Sequence, residues 1–131
     1  MSWDAEYVLD SKAVIAVLYS EPGYKYIEGL LPTAALSSVN LAEIVNKLAQ
    51  RGASSQAVRE SLVRLELRVE DWTENMAYQS AELLGVSKSH GLSLGDRACL
   101  TLAKTLRATA VTSDRAWRRI PSLGVPIMIF R

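Results

Sequence analysis

The chain has 131 residues, 49% of them hydrophobic and 22% charged, with a net charge of +1, which excludes a disordered chain and suits one domain over residues 1–131. The longest apolar run, residues 13–19, is far shorter than the roughly 20 residues of a membrane-spanning helix, and the N-terminus does not resemble a secretory signal. The single cysteine, Cys99, cannot form an internal disulfide and is interpreted as a core residue, so we expect a soluble, cytoplasmic protein.

Charge is distributed unevenly along the chain. Residues 1–96 carry 8 basic and 13 acidic side chains, a balance of −5, whereas residues 97–131 carry 7 basic and 1 acidic side chain, a balance of +6. A basic segment of this kind indicates a polyanionic partner, but a solvated surface with uneven charge is an equally good interpretation.

Short apolar strands alternate with helical patterns in the first half of the chain. Residues 7–9 predict a strand that ends at Asp10, and Ser11 opens a helix through residue 19. A second short helix is predicted to end before Pro32, and a strand follows at residues 36–39. Apolar residues spaced i, i+3, i+4 and i+7 then predict an amphipathic helix that Gly52 closes.

The same alternation continues in the second half. Strands are predicted around residues 67–69, 110–112 and 127–130. Helices are predicted around residues 58–65, from 73 to about 89 with Ala77, Ala81 and Leu84 on its apolar face, and behind the possible cap Ser93. The apolar face of the helix at Val58, Leu62 and Leu65 is interpreted as core, with packing against a partner as the alternative.

Strands that alternate with helices predict an α/β fold with a mainly parallel sheet. Ligands of such sheets bind outside the carboxyl ends of the strands, where the following helices begin. Asp10 closes the first strand, and Asp114 follows the fourth. Glu43 and Asp96 lie in the first turns of helices, so all four carboxylates are expected to face one cleft.

Each acid also has a purely structural interpretation. Glu43 follows Asn40 by three residues and Asp96 follows Ser93 by three, which is the spacing of a capping box. The two acids that follow strands could likewise be helix N-caps. Taken one at a time, the capping interpretation is the stronger one.

Taken together, the four acids favour a metal site. Four converging carboxylates repel one another strongly unless a cation lies between them, and Mg²⁺ or Mn²⁺ suits such an all-oxygen site. A metal held there can polarise a phosphodiester and activate water, so no protein nucleophile is required. One metal is expected, with a second brought by substrate as an option, and Asp96 or Asp114 could instead act as a general base.

Four motifs in a fixed order carry a resemblance over almost the whole chain. They are Tyr-Val-Leu-Asp ending at Asp10, Leu-Ala-Glu ending at Glu43, Gly-Leu-Ser-Leu-Gly-Asp ending at Asp96, and Val-Thr-Ser-Asp ending at Asp114. The chain resembles a PIN domain, and within that family it is most similar to VapC-type toxins. The resemblance implies a Rossmann-like five-stranded parallel sheet in the order 3-2-1-4-5, flanked by helices on both faces, and a Mg²⁺- or Mn²⁺-dependent endoribonuclease.

The resemblance also implies roles for individual residues. The three core acids of the family match Asp10, Glu43 and Asp96, and the more variable fourth acid matches Asp114. Thr112 falls at a position where a hydroxyl often accompanies that fourth acid. Lys12 departs from the pattern, because many family members have a hydroxyl residue there, and its side chain could either enter the cleft or turn away from it.

Partners follow from the resemblance and from charge. The resemblance implies a homodimer that binds a small antitoxin protein, with a basic residue of the antitoxin entering the acidic cleft. An RNA substrate requires cations beyond the metal, and the leading candidates are Arg97, Arg115, Arg118 and Arg119. Trp117 could stack on RNA, although a half-buried tryptophan beside solvated arginines is an equally good interpretation.

Two alternative functions stay open. A phosphatase of the haloacid-dehalogenase kind also begins with a strand that ends in Asp, but it requires a second Asp where this chain has Lys12. A non-catalytic α/β module could instead use the acidic pocket only to bind a metal or a partner. His90, at a predicted helix end, is interpreted as a partner of the helix dipole.

Overall fold

A five-stranded sheet organises the molecule. The computed structural model describes residues 4–87, 91–120 and 123–131. Its strands are β1 (Tyr7–Leu9), β2 (Ala34–Ser37), β3 (Arg68–Glu70), β4 (Thr109–Thr112) and β5 (Ile127–Ile129). Each pair of neighbouring strands is parallel, and the order is β3-β2-β1-β4-β5. The predicted α/β class and strand order 3-2-1-4-5 are confirmed.

Helices connect the strands. In the described part of the chain they are α1 (Ser11–Tyr19), α2 (Tyr24–Leu30), α3 (Ser38–Gln50), α4 (Ser55–Val63), α5 (Glu74–Ser80), α6 (Glu82–Ser87) and α7 (Leu94–Leu106). Two short 3-10 helices lie at Leu31–Thr33 and Arg115–Arg119. No helix within the described ranges combines the length and the hydrophobicity that are needed to cross a lipid bilayer.

Two hydrophobic clusters cover the two faces of the sheet. Consecutive side chains of a strand point to opposite faces, and on β1 Val8 belongs to one cluster and Leu9 to the other. The first cluster contains the inner face of α7 and Trp117. The second contains the apolar residues of α1 and the stripe of α3. Burial on both faces explains why the central strands β1, β2 and β4 consist mainly of buried, largely apolar residues, whereas the edge strand β3 is Arg-Val-Glu.

The beginning of α3 differs from the prediction. The strand expected at residues 36–39 lies at Ala34–Ser37, because the Ser37 hydroxyl accepts a hydrogen bond from the Val39 amide and caps the helix there. Asn40 is therefore inside the helix and is buried, so its interpretation as part of a capping box is wrong.

The helix predicted from Thr73 is interrupted. It divides into α5 and α6 at Ala81, and the buried residues are Ser80 and Leu83, with Met76 packed beside them. The predicted apolar face is wrong, because Ala77 and Ala81 are exposed and Leu84 is 50% exposed. The larger Met76 and Leu83 side chains bury more apolar area than the two alanines would. His90 lies outside the described residues.

Candidate active site

Asp10 lies at the carboxyl end of β1 and begins α1. Its Oδ1 accepts a hydrogen bond of 2.9 Å from the Ala13 amide, so Asp10 is the N-cap of the helix. The side chain is only 4% exposed. Burial raises the pKa of Asp10 to about 6, with a further increase from Asp96, against the lowering effects of the Thr112 hydroxyl, the Ala13 amide and Lys12. Ionisation of the Asp10 carboxyl group in this buried environment therefore costs free energy.

Glu43 is held in place by two helices besides its own. Its carboxylate accepts hydrogen bonds from the Ser11 hydroxyl on α1 and, at 2.9 Å, from Nδ2 of Asn40. The same Asn40 nitrogen donates to the Gly95 carbonyl of α7 at 3.0 Å. A Cβ atom at Gly95 would overlap the Glu43 carboxylate. The missing side chain therefore allows α7 to approach Glu43 closely.

Asp96 has the capping role that its spacing predicted. Its Oδ2 accepts a hydrogen bond of 3.0 Å from the Ser93 amide, and its own amide donates to the Ser93 hydroxyl at 3.1 Å. This capping box does not remove Asp96 from the site, because the carboxylate lines the same cleft as Asp10 and its charge raises the pKa of Asp10. Capping and site roles therefore coexist in this residue.

Three of the four predicted acids face one cleft. The cleft has a volume of about 220 Å³ and is lined by Asp10, Ser11, Lys12, Asn40, Glu43, Ser93 and Asp96. Cys99 of α7 is fully buried, and its pKa is raised well above its usual range by burial and then by the charges of Asp10, Asp96 and Glu43. The charges of all three carboxylates therefore act on the same buried thiol. Lys12 is one of the lining residues, so it belongs to the cleft and does not turn away from it.

Asp114 stands apart from the other three acids. It is not among the residues that line the cleft, and it caps the 3-10 helix Arg115–Arg119 by accepting a 3.0 Å hydrogen bond from the Ala116 amide. Its own amide donates to the Thr112 hydroxyl at 3.0 Å, and the same buried hydroxyl lowers the pKa of Asp10. Thr112 therefore connects Asp114 to the first carboxylate of the cleft.

The carboxylates fit a hard divalent cation by their chemistry. Within residues 4–87, 91–120 and 123–131, no three His, Cys, Asp or Glu side chains are already gathered as a metal-binding group. However, the ion pairs of this part of the chain leave Asp10, Glu43 and Asp96 without a basic partner. Oxygen donors with uncompensated negative charge are the ligands that Mg²⁺ and Mn²⁺ prefer. The chemistry of the donor set therefore fits such a metal.

The predicted RNA-binding arginines occupy two places. Arg115, Arg118 and Arg119 are exposed on the 3-10 helix that follows β4, and they form no ion pair with a described residue. Arg97 is half-buried on α7, and its Nε has no acceptor in the described part of the chain. Trp117 is 1% exposed within the core, so it cannot stack on RNA.

Sequence reasoning missed three residues that shape the site: Ser11, Asn40 and Gly95. Ser11 was interpreted only as the opening of a helix, and Asn40 only as a cap. Gly95 belongs to a motif quoted above, but nothing in its sequence context indicates that it faces Glu43. A glycine inside the first turn of a helix is the one available signal, because glycine there lowers helix stability without a local reason.

Comparisons with known proteins agree with the architecture. The sequence model of the family described as PIN domain matches residues 7–123. VapBC2 from Rickettsia felis, solved with a DNA fragment from its promoter, has 21% identity and a TM-score of 0.72 over 94% of this chain and 97% of that chain. DNA-bound VapBC from Salmonella typhimurium has 20% identity and a TM-score of 0.71 over 97% and 99% of the two chains.

FitAcB from Neisseria gonorrhoeae is a third solved structure with this fold, at 20% identity and a TM-score of 0.71 over 95% of this chain and 97% of that chain. A search of curated protein sequences finds no match. The family model spans most of the chain, and the sheet order agrees with its structural neighbours. This chain therefore belongs to the PIN-domain family.

Proposed function

We propose that this protein is a Mg²⁺- or Mn²⁺-dependent endoribonuclease and the toxin of a type II toxin–antitoxin pair. One observation carries the proposal: three carboxylates without a basic partner in the described structure line one cleft at the carboxyl edge of a PIN-type sheet. Such a cleft suits a divalent cation, and a bound cation would in turn attract a phosphodiester. The family membership and the toxin–antitoxin neighbours support the same conclusion.

The metal ligands in this proposal are Asp10, Glu43 and Asp96, with Asp114 as a fourth acid linked through Thr112. A bound divalent metal supplies a Lewis acid that polarises the phosphodiester and lowers the pKa of water. The protein supplies the placement of the ligands. Burial makes an unneutralised Asp10 carboxylate unfavourable, which favours uptake of a cation.

Several neutral groups orient the proposed ligands. The Ser11 hydroxyl and the Asn40 amide donate hydrogen bonds to the Glu43 carboxylate and fix its position. The Ser93 amide holds one oxygen of Asp96. As the alternative to metal binding, Asp96 or Asp114 takes the proton from the attacking water.

RNA binding is assigned to Arg97, Arg115, Arg118 and Arg119. The three exposed arginines form no ion pair with a described residue, so they are free to contact phosphate. Arg97 directly follows Asp96 in the sequence, and its buried Nε lacks an acceptor in the described chain. A phosphate oxygen is a suitable acceptor for that group.

An antitoxin protein is the proposed partner, in a cytoplasmic assembly that also contains a second copy of this chain. Several structural neighbours are toxin–antitoxin complexes. This chain has an apolar groove of about 490 Å³ between α3, α4 and β3, lined by Leu41, Val45, Ser55, Val58, Arg59, Leu62, Val63, Leu67 and Val69. Exposed apolar groups such as Val63, which is 67% exposed, support a protein partner. One domain over residues 1–131 is part of the proposal.

RNA cleavage by purified protein tests the proposal. Total RNA is incubated with the protein and Mg²⁺, Mn²⁺ or EDTA, and the product ends are mapped. Cleavage is expected with either metal and not with EDTA. A phosphatase would instead release phosphate from a small phosphomonoester, and a non-catalytic module would bind Mn²⁺ without cleaving either substrate.

The matched variant for this test is Asp96→Asn. Asparagine can still accept the hydrogen bond from the Ser93 amide, so α7 keeps its cap, but the charge that holds the metal is lost. We expect an unchanged circular dichroism spectrum and at least a hundredfold loss of cleavage, the order of loss expected when a preorganised electrostatic group is removed. Equal cleavage by variant and wild type would exclude Asp96 as a metal ligand.

A further inference from the structure

Lys12 is the basic residue that lines the acidic cleft. It is the second residue of α1, its side chain is exposed, and Asp10, Glu43 and Asp96 share the cleft with it. The ammonium group forms no ion pair within the described residues. Lys12 therefore lies in the cleft without being paired to any one of its carboxylates in the described structure.

The helix itself does not explain a lysine at this position. The amino end of a helix carries a partial positive charge, so a cation in the first turn is unfavourable and an acid is preferred. The first turn of α1 contains no acid. An exposed side chain also contributes little to packing. The stability of α1 therefore gives no reason for a positive charge at this position.

The charge balance of the cleft indicates what the lysine can bind. The three carboxylates that line it together carry three negative charges when ionised, and a divalent metal neutralises two of them. The remaining negative charge would repel an RNA phosphate that enters the cleft. The positive charge of the Lys12 ammonium group balances this remaining negative charge, and its N–H groups can donate hydrogen bonds to a phosphate oxygen.

We propose that Lys12 is a substrate-binding residue whose ammonium group contacts a non-bridging phosphate oxygen of RNA at the cleft. This inference rests on the proposed ribonuclease function. It gives Lys12 opposite effects on the two ligands of the site, because its charge attracts the phosphate and repels the metal. A lysine that served only as a surface residue would affect neither ligand.

The experiment compares Lys12→Met and Lys12→Arg with wild type, and Lys25→Met serves as the control. Lys25 is exposed on α2 and does not line the cleft, so its replacement removes the same charge elsewhere. KM and kcat are measured on a short single-stranded RNA over a series of salt concentrations. Mn²⁺ affinity is measured separately by calorimetry without RNA.

For Lys12→Met we expect KM to rise about tenfold or more, as for loss of a hydrogen bond to a charged group. The dependence of log KM on log salt should become shallower by about 0.7, the contribution of one phosphate contact on a single strand. Mn²⁺ should bind the variant more tightly than it binds wild type. Lys12→Arg should retain most of the RNA affinity, and Lys25→Met should resemble wild type.

Two results would overturn the proposal. One is a Lys12→Met variant with the KM and salt dependence of a wild type that cleaves RNA. The ribonuclease function would then stand, but Lys12 would only balance the charge of the carboxylates. The other is an equal effect of Lys25→Met, which would show a general charge effect. Absence of cleavage by wild type would contradict the proposed function itself, and the role of Lys12 would fall with it.

Discussion

Replacing Asp10 by asparagine should stabilise the metal-free protein at neutral pH. The pKa of Asp10 is raised from 3.8 to about 6 in the folded protein, mainly by burial. Between these two values the folded state binds more protons than the unfolded state, so stability falls as pH rises through this window and is lowest above about pH 6. Asparagine cannot ionise, and it can still accept the hydrogen bond from the Ala13 amide that caps α1.

The size of the effect follows from the same shift. A difference of about 2 pKa units corresponds to roughly 3 kcal/mol, since each unit is worth 1.36 kcal/mol. This is an upper limit, because asparagine brings its own polar amide into a buried position. We therefore expect a gain of about 1 to 3 kcal/mol in the free energy of unfolding at pH 7.5, and almost no gain below about pH 4.

Urea unfolding monitored by circular dichroism measures this difference at pH 7.5 and pH 4 in the presence of EDTA. The control is Glu28→Gln, which changes an exposed acid on α2 and should alter stability by less than about 0.5 kcal/mol. Adding Mg²⁺ should stabilise wild type and not Asp10→Asn, if the carboxylate is a ligand. A variant that is less stable than wild type at pH 7.5 without metal would refute the argument from uncompensated charge.

Two further predictions concern packing and substrate binding. Gly95→Ala places a methyl group on the Glu43 carboxylate, so we expect a folded protein with at least tenfold weaker Mn²⁺ binding and RNA cleavage, whereas Gly29→Ala, where a Cβ meets nothing, should be active and slightly more stable. Normal Mn²⁺ affinity in Gly95→Ala would show that Glu43 can move without loss. The double replacement of Arg118 and Arg119 by alanine should flatten the salt dependence of RNA affinity by about 0.7 to 1.4 log units and leave Mn²⁺ affinity unchanged, and an unaffected slope would place the RNA elsewhere.

The parallel α/β class and the cleft acids were accessible from sequence for a physical reason, whereas the strand order was implied only by the family resemblance. A strand buried on both faces is a short apolar run, and a parallel sheet places the residue after each run at the same edge. Asp10 is such a residue, and its position was correct. The assignment of four acids as metal ligands stays a prediction, because Asp114 lies outside the cleft lining and reaches Asp10 only through Thr112.

Boundaries and faces were harder to predict because local signals compete. Ser37 and Asn40 are both good capping residues, and β-branched Val39 between them favoured a strand that continued too far. The structure selects Ser37, which places the asparagine inside the helix. In the segment of α5 and α6, small alanines gave no strong preference for one face, and the packing of Met76 and Leu83 decided it.

The support of Glu43 could not be predicted, because it depends on contacts between distant parts of the chain. Asn40 and Gly95 are 55 positions apart, and their hydrogen bond exists only when α3 packs against α7. Periodicity and capping rules describe a single element, so they carry no information about which amide of one helix meets which carbonyl of another. The close approach of Gly95 to Glu43 likewise depends on the packing of α3 against α7.

The bond between Asn40 and Gly95 also has a consequence for the timing of activity. On the ribosome α3 emerges long before α7, because β3 and three helices, α4, α5 and α6, are synthesised between them. Until α7 has emerged and docked, Asp96 is absent from the cleft and the approach of Gly95 to Glu43 has not formed. A nascent or truncated chain that ends before α7 therefore has no assembled site. The protein becomes capable of its proposed chemistry only when the last third of its sequence has folded.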